Sequence, residues 1–390
     1  MTASLGAAID AARAARARLR DRPVHETATA LAEAARRWSQ DAELAAALPD
    51  AADLTPAMVR VVLPLIAEPL DVDALVELHA REARAGTPPA LVAALVASNV
   101  PGLAVPAIAH ACLAGAAVLV KSGRADMLSA PAYRRAIAAV DPALAATIVT
   151  AYWPGGSRAE EDAILPHADL VVATGAGATV GSLVARLGDR VLAYGDRSSV
   201  AVLSSDAADT EIADLAWDVA RYEQRGCLSP HDVFVLGDAR AAGERLLAAL
   251  DVVAQAVPRP ALATAARAAH RVAIEEASFA GAHIGASRGG TVLFDPGSRV
   301  AELIGRRMVR VHALDHPTAF LDTFAPGTVE CVGVGRDVTL DVEALRARGV
   351  ARICPVGRMQ RPRIDWPRGQ RPALASLFRA EGEPRIQVES

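Results

Sequence analysis

The sequence predicts an α/β protein of two domains, the first built on a doubly wound sheet of parallel strands. Three observations predict it. The chain has 390 residues, and a single hydrophobic core rarely grows beyond about 250–300 residues. Hydrophobic residues make up 52% of it but aromatics only 4%, so the cores are aliphatic. From residue 91 onward, short apolar runs alternate with helical segments, the spacing that parallel strand–helix–strand units require.

Residues 1–50 are rich in Ala, Arg and Glu and read as helical, and residues 56–66, PAMVRVVLPLI, suit either a strand or a helix. Leu91–Ala97 reads as a buried strand and Ser98–Gly102 as a loop. Pro106 suits the first turn of a helix that runs to Leu113 and stops at Gly115. Val118–Val120 is then a second strand, ending at Lys121. The alternation continues with a helix over Ala132–Val140, a strand over Thr147–Tyr152 and a helix over Ser157–Ile164. A strand over Leu170–Ala173, a helix over Thr179–Leu187 and strands over Val191–Tyr194 and Ser199–Leu203 follow. This is the pattern of a doubly wound sheet. A helix over Asp209–Tyr222 delivers the chain to a loop holding Cys227. A strand over Val233–Leu236, helices near 239–256 and 260–276, and strands at 291–294, 309–312 and 329–334 form the second α/β domain. The tail, 359–390, is rich in Arg and Pro, and reads as a disordered end or as an arm packed on the first domain or a neighbouring subunit. The expected divisions are 1–197, 198–345 and 346–390.

The composition excludes several classes. A net charge of −4 argues against a nucleic-acid binder, which needs a basic surface to neutralise phosphates. The four cysteines, Cys112, Cys227, Cys331 and Cys354, have no CxxC spacing, so neither a disulfide framework nor a zinc site is expected, and a reducing cytoplasm fits best. His312 and His316 stand four apart, which could place two ligands on one helix face. No HExxH pattern surrounds them, so packing or solvated histidines are the favoured reading and no metal is expected. Residues 5–20 have no apolar core and no cleavage pattern, so no signal peptide is expected; Asp10 argues against a transit peptide, and an amphipathic surface helix is the simple account. Residues 91–120 contain no Asp, Glu, Lys or Arg and are long enough to span a bilayer. Asn99, Pro101, Gly102 and Pro106 interrupt them, so they read as three buried pieces and no membrane span is expected.

Four features carry chemistry. Cys227 lies in Gln224-Arg225-Gly226-Cys227-Leu228-Ser229-Pro230. Gly226 lets a ligand approach the backbone closely and Arg225 supplies a cation, the setting of a reactive thiol. A packing cysteine is the bland alternative, but it needs neither the Arg-Gly before it nor the Ser-Pro after it. Asn99 follows an apolar strand, where an uncharged amide suits an oxyanion hole; an ordinary turn asparagine is its alternative. Lys121, Ser122 and Arg124 end a strand and suit a phosphomonoester, against the alternative of a solvated strand end. Thr174, Gly175, Gly177 and Gly181 lie in ATGAGATVG between a strand and a helix, where backbone N–H groups favour phosphate. Their spacing is not a clean GxGxxG, so the turn is weak as a motif.

These segments stand in a telling order: Ser98-Asn99-Val100-Pro101-Gly102, Val120-Lys121-Ser122, Thr174 to Gly181, Tyr194-Gly195-Asp196-Arg197-Ser198, the Cys227 loop, and Cys354-Pro355-Val356-Gly357-Arg358-Met359-Gln360. The order resembles the LuxC-like acyl-CoA reductase family of the aldehyde dehydrogenase superfamily, from about residue 90 to 370. The resemblance implies a Rossmann-type cofactor domain plus a second α/β catalytic domain. It implies Cys227 as nucleophile, Asn99 as oxyanion amide, Lys121 against the adenosine ribose and the 174–181 turn near the pyrophosphate. Arg124 stands where NAD-preferring members often carry an acid, which favours NADPH. Hydrolytic relatives place a glutamate at the position of Ala193, and its absence implies an enzyme that exchanges acyl groups with a thiol. The expected activity is NADPH-dependent reduction of an acyl thioester to an aldehyde through an S-acyl-cysteine. The expected donor is acyl-CoA or a phosphopantetheine-bound acyl carrier protein, and the expected assembly is a homo-oligomer. His231 and Glu330 are candidates for acid or base. The alternatives are an NAD(P)-dependent aldehyde dehydrogenase forming acid or acyl-CoA, and a non-catalytic scaffold of that fold.

Overall fold

The computed structural model describes residues 2–19, 21–83, 88–294, 305–378 and 387–389. The chain divides into two compact units, Met1–Asp196 with Arg363–Glu383, and Arg197–Pro362 with Pro384–Ser390.

The first unit opens with five helices, α1 (Thr2–Ala17), α2 (Val24–Ser39), α3 (Ala42–Ala52), α4 (Pro56–Ala67) and α5 (Val72–Glu82). The ambiguous 56–66 stretch is helical because its start is well signalled. The Thr55 hydroxyl accepts from Met58 N at 3.2 Å and Pro56 occupies the first turn. Asp41 and Asp71 cap α3 and α5 in the same way. Alternation follows: β1 (Leu91–Leu95), α6 (Ala104–Leu113), β2 (Ala117–Ser122), α7 (Ser129–Val140), α8 (Pro142–Ala145), β3 (Ile148–Tyr152), α9 (Arg158–Ile164), β4 (Leu170–Thr174), α10 (Gly177–Leu187) and β5 (Val191–Tyr194). The uncharged stretch 91–120 thus becomes β1, α6 and β2. No helix among the described residues is long and apolar enough to cross a membrane. The five strands are parallel in the order β3-β2-β1-β4-β5. The order reverses between β1 and β4, and such a switch point opens a crevice beyond the carboxyl ends of the strands.

Leu91, Leu95, Leu119 and Val171 form the sheet's core with Trp153, Leu183 and Ile9. Ile9 and Ala12 are each 1% exposed while the other described side chains of α1 are exposed or half-buried, so α1 is the expected amphipathic surface helix with one stripe set into this core. The C-terminal segment 363–378 is tied to this unit. Glu82 Oε2 accepts from Leu374 N at 2.8 Å and Ala375 N at 3.3 Å, and the His110 ring donates to Ile364 O at 2.9 Å.

The second unit contains β6 (Ser198–Ser204), α11 (Asp209–Ala220), β7 (Pro230–Leu236), α12 (Ala239–Ala256), α13 (Thr264–Phe279), β8 (His283–Ala286), β9 (Thr291–Phe294), β10 (Met308–Leu314), β11 (Val329–Val334), α14 (Val342–Ala347), β12 (Arg352–Pro355) and β13 (Gln387–Val388). Its eight-stranded sheet runs β13-β12-β11-β6-β7-β10-β9-β8, parallel except at β8–β9. Val200, Val202, Phe234, Phe320, Val332 and Ile353 build the core. Residues 346–362 belong to this unit, so the return to the first begins at 363, later than the expected 346. Part of the expected arm, 379–386, lies outside the described residues. His312 lies on β10 and His316 two residues beyond its end, so the two do not share a helix face.

Candidate active site

Cys227 lies three residues before β7, at the amino end of the sheet's centre. It is half-buried, whereas Cys112, Cys331 and Cys354 are buried. Burial pushes the Cys112 thiol up to about 12, and the hydrogen bond with Cys331 together with burial raises that of Cys354, which leaves both inert near neutral pH.

The helix expected to reach Tyr222 ends at Ala220, because three successive residues are left-handed: Tyr222, Glu223 and Gln224, at φ 57°, 53° and 58°. Each side-chain-bearing residue in that region costs about 1–2 kcal/mol, so tertiary contacts must hold the turn. Gln224 supplies them. Its amide donates to Pro230 O and Met308 O, each at 2.8 Å, and its carbonyl oxygen accepts from Met308 N at 2.8 Å. Glu223 is fully buried and paired with Arg307, and its backbone oxygen accepts from Arg306 N at 3.0 Å. Arg306 and Arg307 are themselves left-handed, at φ 61° and 59°. Two strained turns therefore clasp one another beneath the loop. Beyond it, the Ser199 hydroxyl donates to Cys227 O at 2.6 Å and accepts from Cys331 N at 3.2 Å, and Gln360 donates to the Ser229 hydroxyl at 2.8 Å. Arg225 turns back on its own loop, donating to Tyr222 O at 3.1 Å.

The expected acid–base candidates have other environments. His231 is 7% exposed and burial lowers its pKa to about 4, so the ring is neutral at pH 7. Asp232, its neighbour on the other face of β7, is a buried hub. It binds Arg310 at 2.6 and 2.8 Å and His312 at 2.8 Å, and these hydrogen bonds hold its pKa down against burial. Glu330 is buried and pairs with Arg197 at 3.2 Å.

In the first unit the candidate residues gather at the carboxyl ends of β1, β2 and β4. Asn99 is exposed in the loop after β1. That loop is fixed at Gly102, whose N–H donates to the buried Asp126 at 2.7 Å. Gly102 has φ +82° and a Cβ there would stand 2.6 Å from Ile66, so only glycine fits. Lys121, next to last in β2, is half-buried, with Nζ 6.0 Å from the centre of the Trp153 ring. Burial lowers its pKa, and the Glu161 carboxylate opposes that shift. Ser122 is buried, and Arg124 is exposed. A Cβ on Gly123 would meet the Ser98 side chain at 2.5 Å, so the loops after β1 and β2 press directly together. Thr174 closes β4, Gly175 follows it, and Gly177 begins α10 two residues earlier than expected. Gly181 lies within that helix, on its exposed side. The Gly177 N–H donates to the Asp196 carboxylate at 2.7 Å, so this turn already presents a donor to an anion, as a phosphate would require.

Sequence reasoning passed over two cations here. Arg368, from the C-terminal segment, stacks on Tyr194 at 4.7 Å and donates to the Thr174 hydroxyl at 3.5 Å, while Arg371 donates to Ala193 O at 2.9 Å. Nothing local marks either among the many arginines of the tail. A compositional signal for the neighbouring loops was available, however. Lys121 is the only lysine of the chain and Asn99 the only asparagine. A sequence that otherwise uses arginine for every cation keeps these two residue types only in adjacent strand-end loops.

The chain matches the acyl-CoA reductase (LuxC) family over residues 19–380. It is 32% identical over 152 residues to a long-chain acyl-protein thioester reductase of Vibrio harveyi, a stretch covering 37% of this chain and 31% of that protein. It therefore aligns with about a third of that relative's length. Among solved structures, aldehyde dehydrogenase 21 of Physcomitrella patens, in complex with the product succinate, superposes with a TM-score of 0.75 at 15% identity. That superposition covers 97% of this chain and 89% of the other. The indole-3-acetaldehyde dehydrogenase of P. syringae, in complex with NAD+, gives a TM-score of 0.72 at 20% identity, covering 90% and 80%. Both units carry the aldehyde dehydrogenase fold, and with a match that runs through them from residue 19 to residue 380 the chain belongs to the acyl-CoA reductase (LuxC) family.

Proposed function

We propose that this protein reduces an acyl thioester to an aldehyde, with Cys227 carrying the acyl group between the two half-reactions. One observation carries the reading: of four cysteines, Cys227 alone is not buried, and it stands on a turn held in a costly left-handed conformation. Such strain persists where the surroundings fix it, and it clusters at functional sites.

The Cys227 thiolate attacks the thioester carbonyl, forming a C–S bond and placing negative charge on the carbonyl oxygen. The Asn99 amide and the Cys227 N–H are the proposed donors to that oxyanion. The donor's C–S bond breaks, its thiolate takes a proton, and an S-acyl cysteine is left. When bound, a nicotinamide dinucleotide supplies the hydride that reduces this acyl group. The thiohemiacetal then collapses, expelling the Cys227 thiolate and releasing the aldehyde. Lys121, Ser122, Thr174, Gly175, Gly177 and Gly181 are the proposed dinucleotide contacts. Arg124 is proposed to select NADPH, since a guanidinium pairs with a 2′-phosphate. Ala193 offers no carboxylate to activate water, so the acyl group goes to hydride and not to free acid. The donor is CoA-bound or carried on the phosphopantetheine of a carrier protein.

Intact-mass measurement after incubation with a medium-chain acyl-CoA tests the reading. Wild type should gain one acyl group and Cys227→Ala none. An adduct on the alanine variant, or none on wild type, would overturn it.

A further inference from the structure

The second unit contains a pocket that the proposed chemistry does not use. Its volume is about 330 Å³, at the small end of the range for ligand sites. Arg221, Arg336, Arg358 and Arg361 line it, with Glu211 and Asp214. Glu211 is committed to the backbone, accepting from Arg336 N at 2.7 Å and Ala208 N at 3.4 Å. Arg221 is 8% exposed. Its Nη1 reaches Asp218 at 3.3 Å, yet its buried Nε has no hydrogen-bond partner among the described residues, nor has the buried Nε of Arg361. No carboxylate pairs with Arg336, Arg358 or Arg361 among the described residues. Burial lowers the pKa of Arg221; Asp218 opposes that shift and the positive charge of Arg361 adds to it. A group of guanidiniums that repel one another, with buried donors unused, is stabilised by an anion.

The wall bearing these arginines is rigid. Arg352, fully buried, donates to Met359 O at 2.8 Å, Arg358 O at 2.9 Å and Arg361 O at 3.3 Å, and pairs with Glu389 at 2.8 Å. The same turn leads to the nucleophile. Gln360, between Met359 and Arg361, donates both to Asp218 O at 3.2 Å and to the hydroxyl of Ser229, two residues after Cys227. Arg221 begins the left-handed turn that carries Cys227.

We propose that this pocket receives the phosphate of the acyl donor, the phosphate ester at the far end of the pantetheine arm that CoA and a carrier protein share. The proposal rests on Cys227 as the acylated residue. The phosphate oxygens take guanidinium donors of Arg221, Arg358 and Arg361, which line the pocket. The exposed Asp214 carboxylate accepts from a hydroxyl of the arm or ribose. A pocket of this size admits a phosphorylated end and excludes a folded partner.

The test compares the rate of Cys227 acylation, followed by intact mass, with acyl-CoA, with an acyl carrier protein and with the phosphate-free N-acetylcysteamine thioester. The double variant Arg358→Gln/Arg361→Gln leaves the carbonyls that bind Arg352 in place. It should lower kcat/KM at least tenfold for acyl-CoA and change the rate with the phosphate-free donor less than twofold. Arg336→Gln, which alters another lining residue, should act in the same direction. An equal loss with the carrier protein assigns the pocket to the shared phosphate; a loss with acyl-CoA alone assigns it to the CoA phosphates. Equal rates of variant and wild type with every phosphorylated donor overturn the proposal, as does an equal loss with the phosphate-free donor. If wild type accepts no acyl group from any donor, the reading of Cys227 falls. The pocket is then judged by calorimetry with CoA, where weaker binding by the double variant supports it and unchanged binding overturns it.

Discussion

At the scale of single residues, burial decides what each titratable group can do. His231 illustrates this. Its ring has a pKa of about 4 in the folded chain, against 6.5 when unfolded, because β7 is buried at its amino end. Above pH 6.5 neither state takes up a proton and the shift has no effect on stability. As pH falls below 6.5 the unfolded ring is protonated first, so unfolding is favoured, by about 3 kcal/mol in total by pH 4. His231→Gln should remove this dependence. Wild type should lose about 2 kcal/mol more than the variant between pH 7 and pH 5, read from urea midpoints at the two pH values. Equal losses would show that the ring is not buried in the neutral form. A neutral ring at pH 7 also holds no positive charge to lend a thiolate.

The turn between α11 and β7 operates at the scale of the element. Its three left-handed residues would cost several kcal/mol in isolation, and one side chain, Gln224, satisfies buried backbone groups from both β7 and β10. Gln224→Leu has nearly the same size but leaves Pro230 O, Met308 O and Met308 N without that partner. Stability should fall by about 3 kcal/mol or more, measured by denaturant unfolding. The surviving native protein should acylate Cys227 more slowly, since its loop has lost its anchor. A variant with unchanged stability would show that the clasp by residues 305–308 holds the turn without Gln224.

For the whole molecule, chain order and spatial order diverge. The polypeptide leaves the first unit near 196, builds the second, and returns at 363. The return is docked by Glu82, 1% exposed, whose carboxylate accepts from Leu374 N and Ala375 N. Arg81–Asp365 at 2.8 Å adds a partly exposed pair of small value. Glu82→Leu leaves two buried N–H groups without an acceptor. It should loosen the 363–378 segment, seen as faster cleavage there by a protease that leaves the wild-type segment intact. Wild-type cleavage kinetics would show that Ile364 and the arginine contacts dock the segment without Glu82. The same segment brings Arg368 and Arg371 to the ends of β4 and β5, so its release should also weaken the proposed dinucleotide binding.

The sequence by itself determined the alternation of strands and helices from Leu91 to Leu236, since strand runs and N-caps are local signals. It also determined the segments matching the family and the one cysteine with a loop built around it. Asn99 and Lys121 stood out further as the chain's sole asparagine and lysine. Only the tertiary structure decided the rest. The left-handed turn before Cys227 depends on Met308 and Arg307, more than eighty residues away in sequence, and no local propensity encodes it. Which stripe of α1 is buried, Ile9 and Ala12, follows from the sheet it packs on. The arginine pocket joins α11 to residues 334–361, and the β4–β5 edge takes two arginines from a tail in which every arginine looked alike. Cys227 was legible as a residue. What holds it in place, and what charge lies along the turn beside it, are properties of contacts between distant parts of the chain.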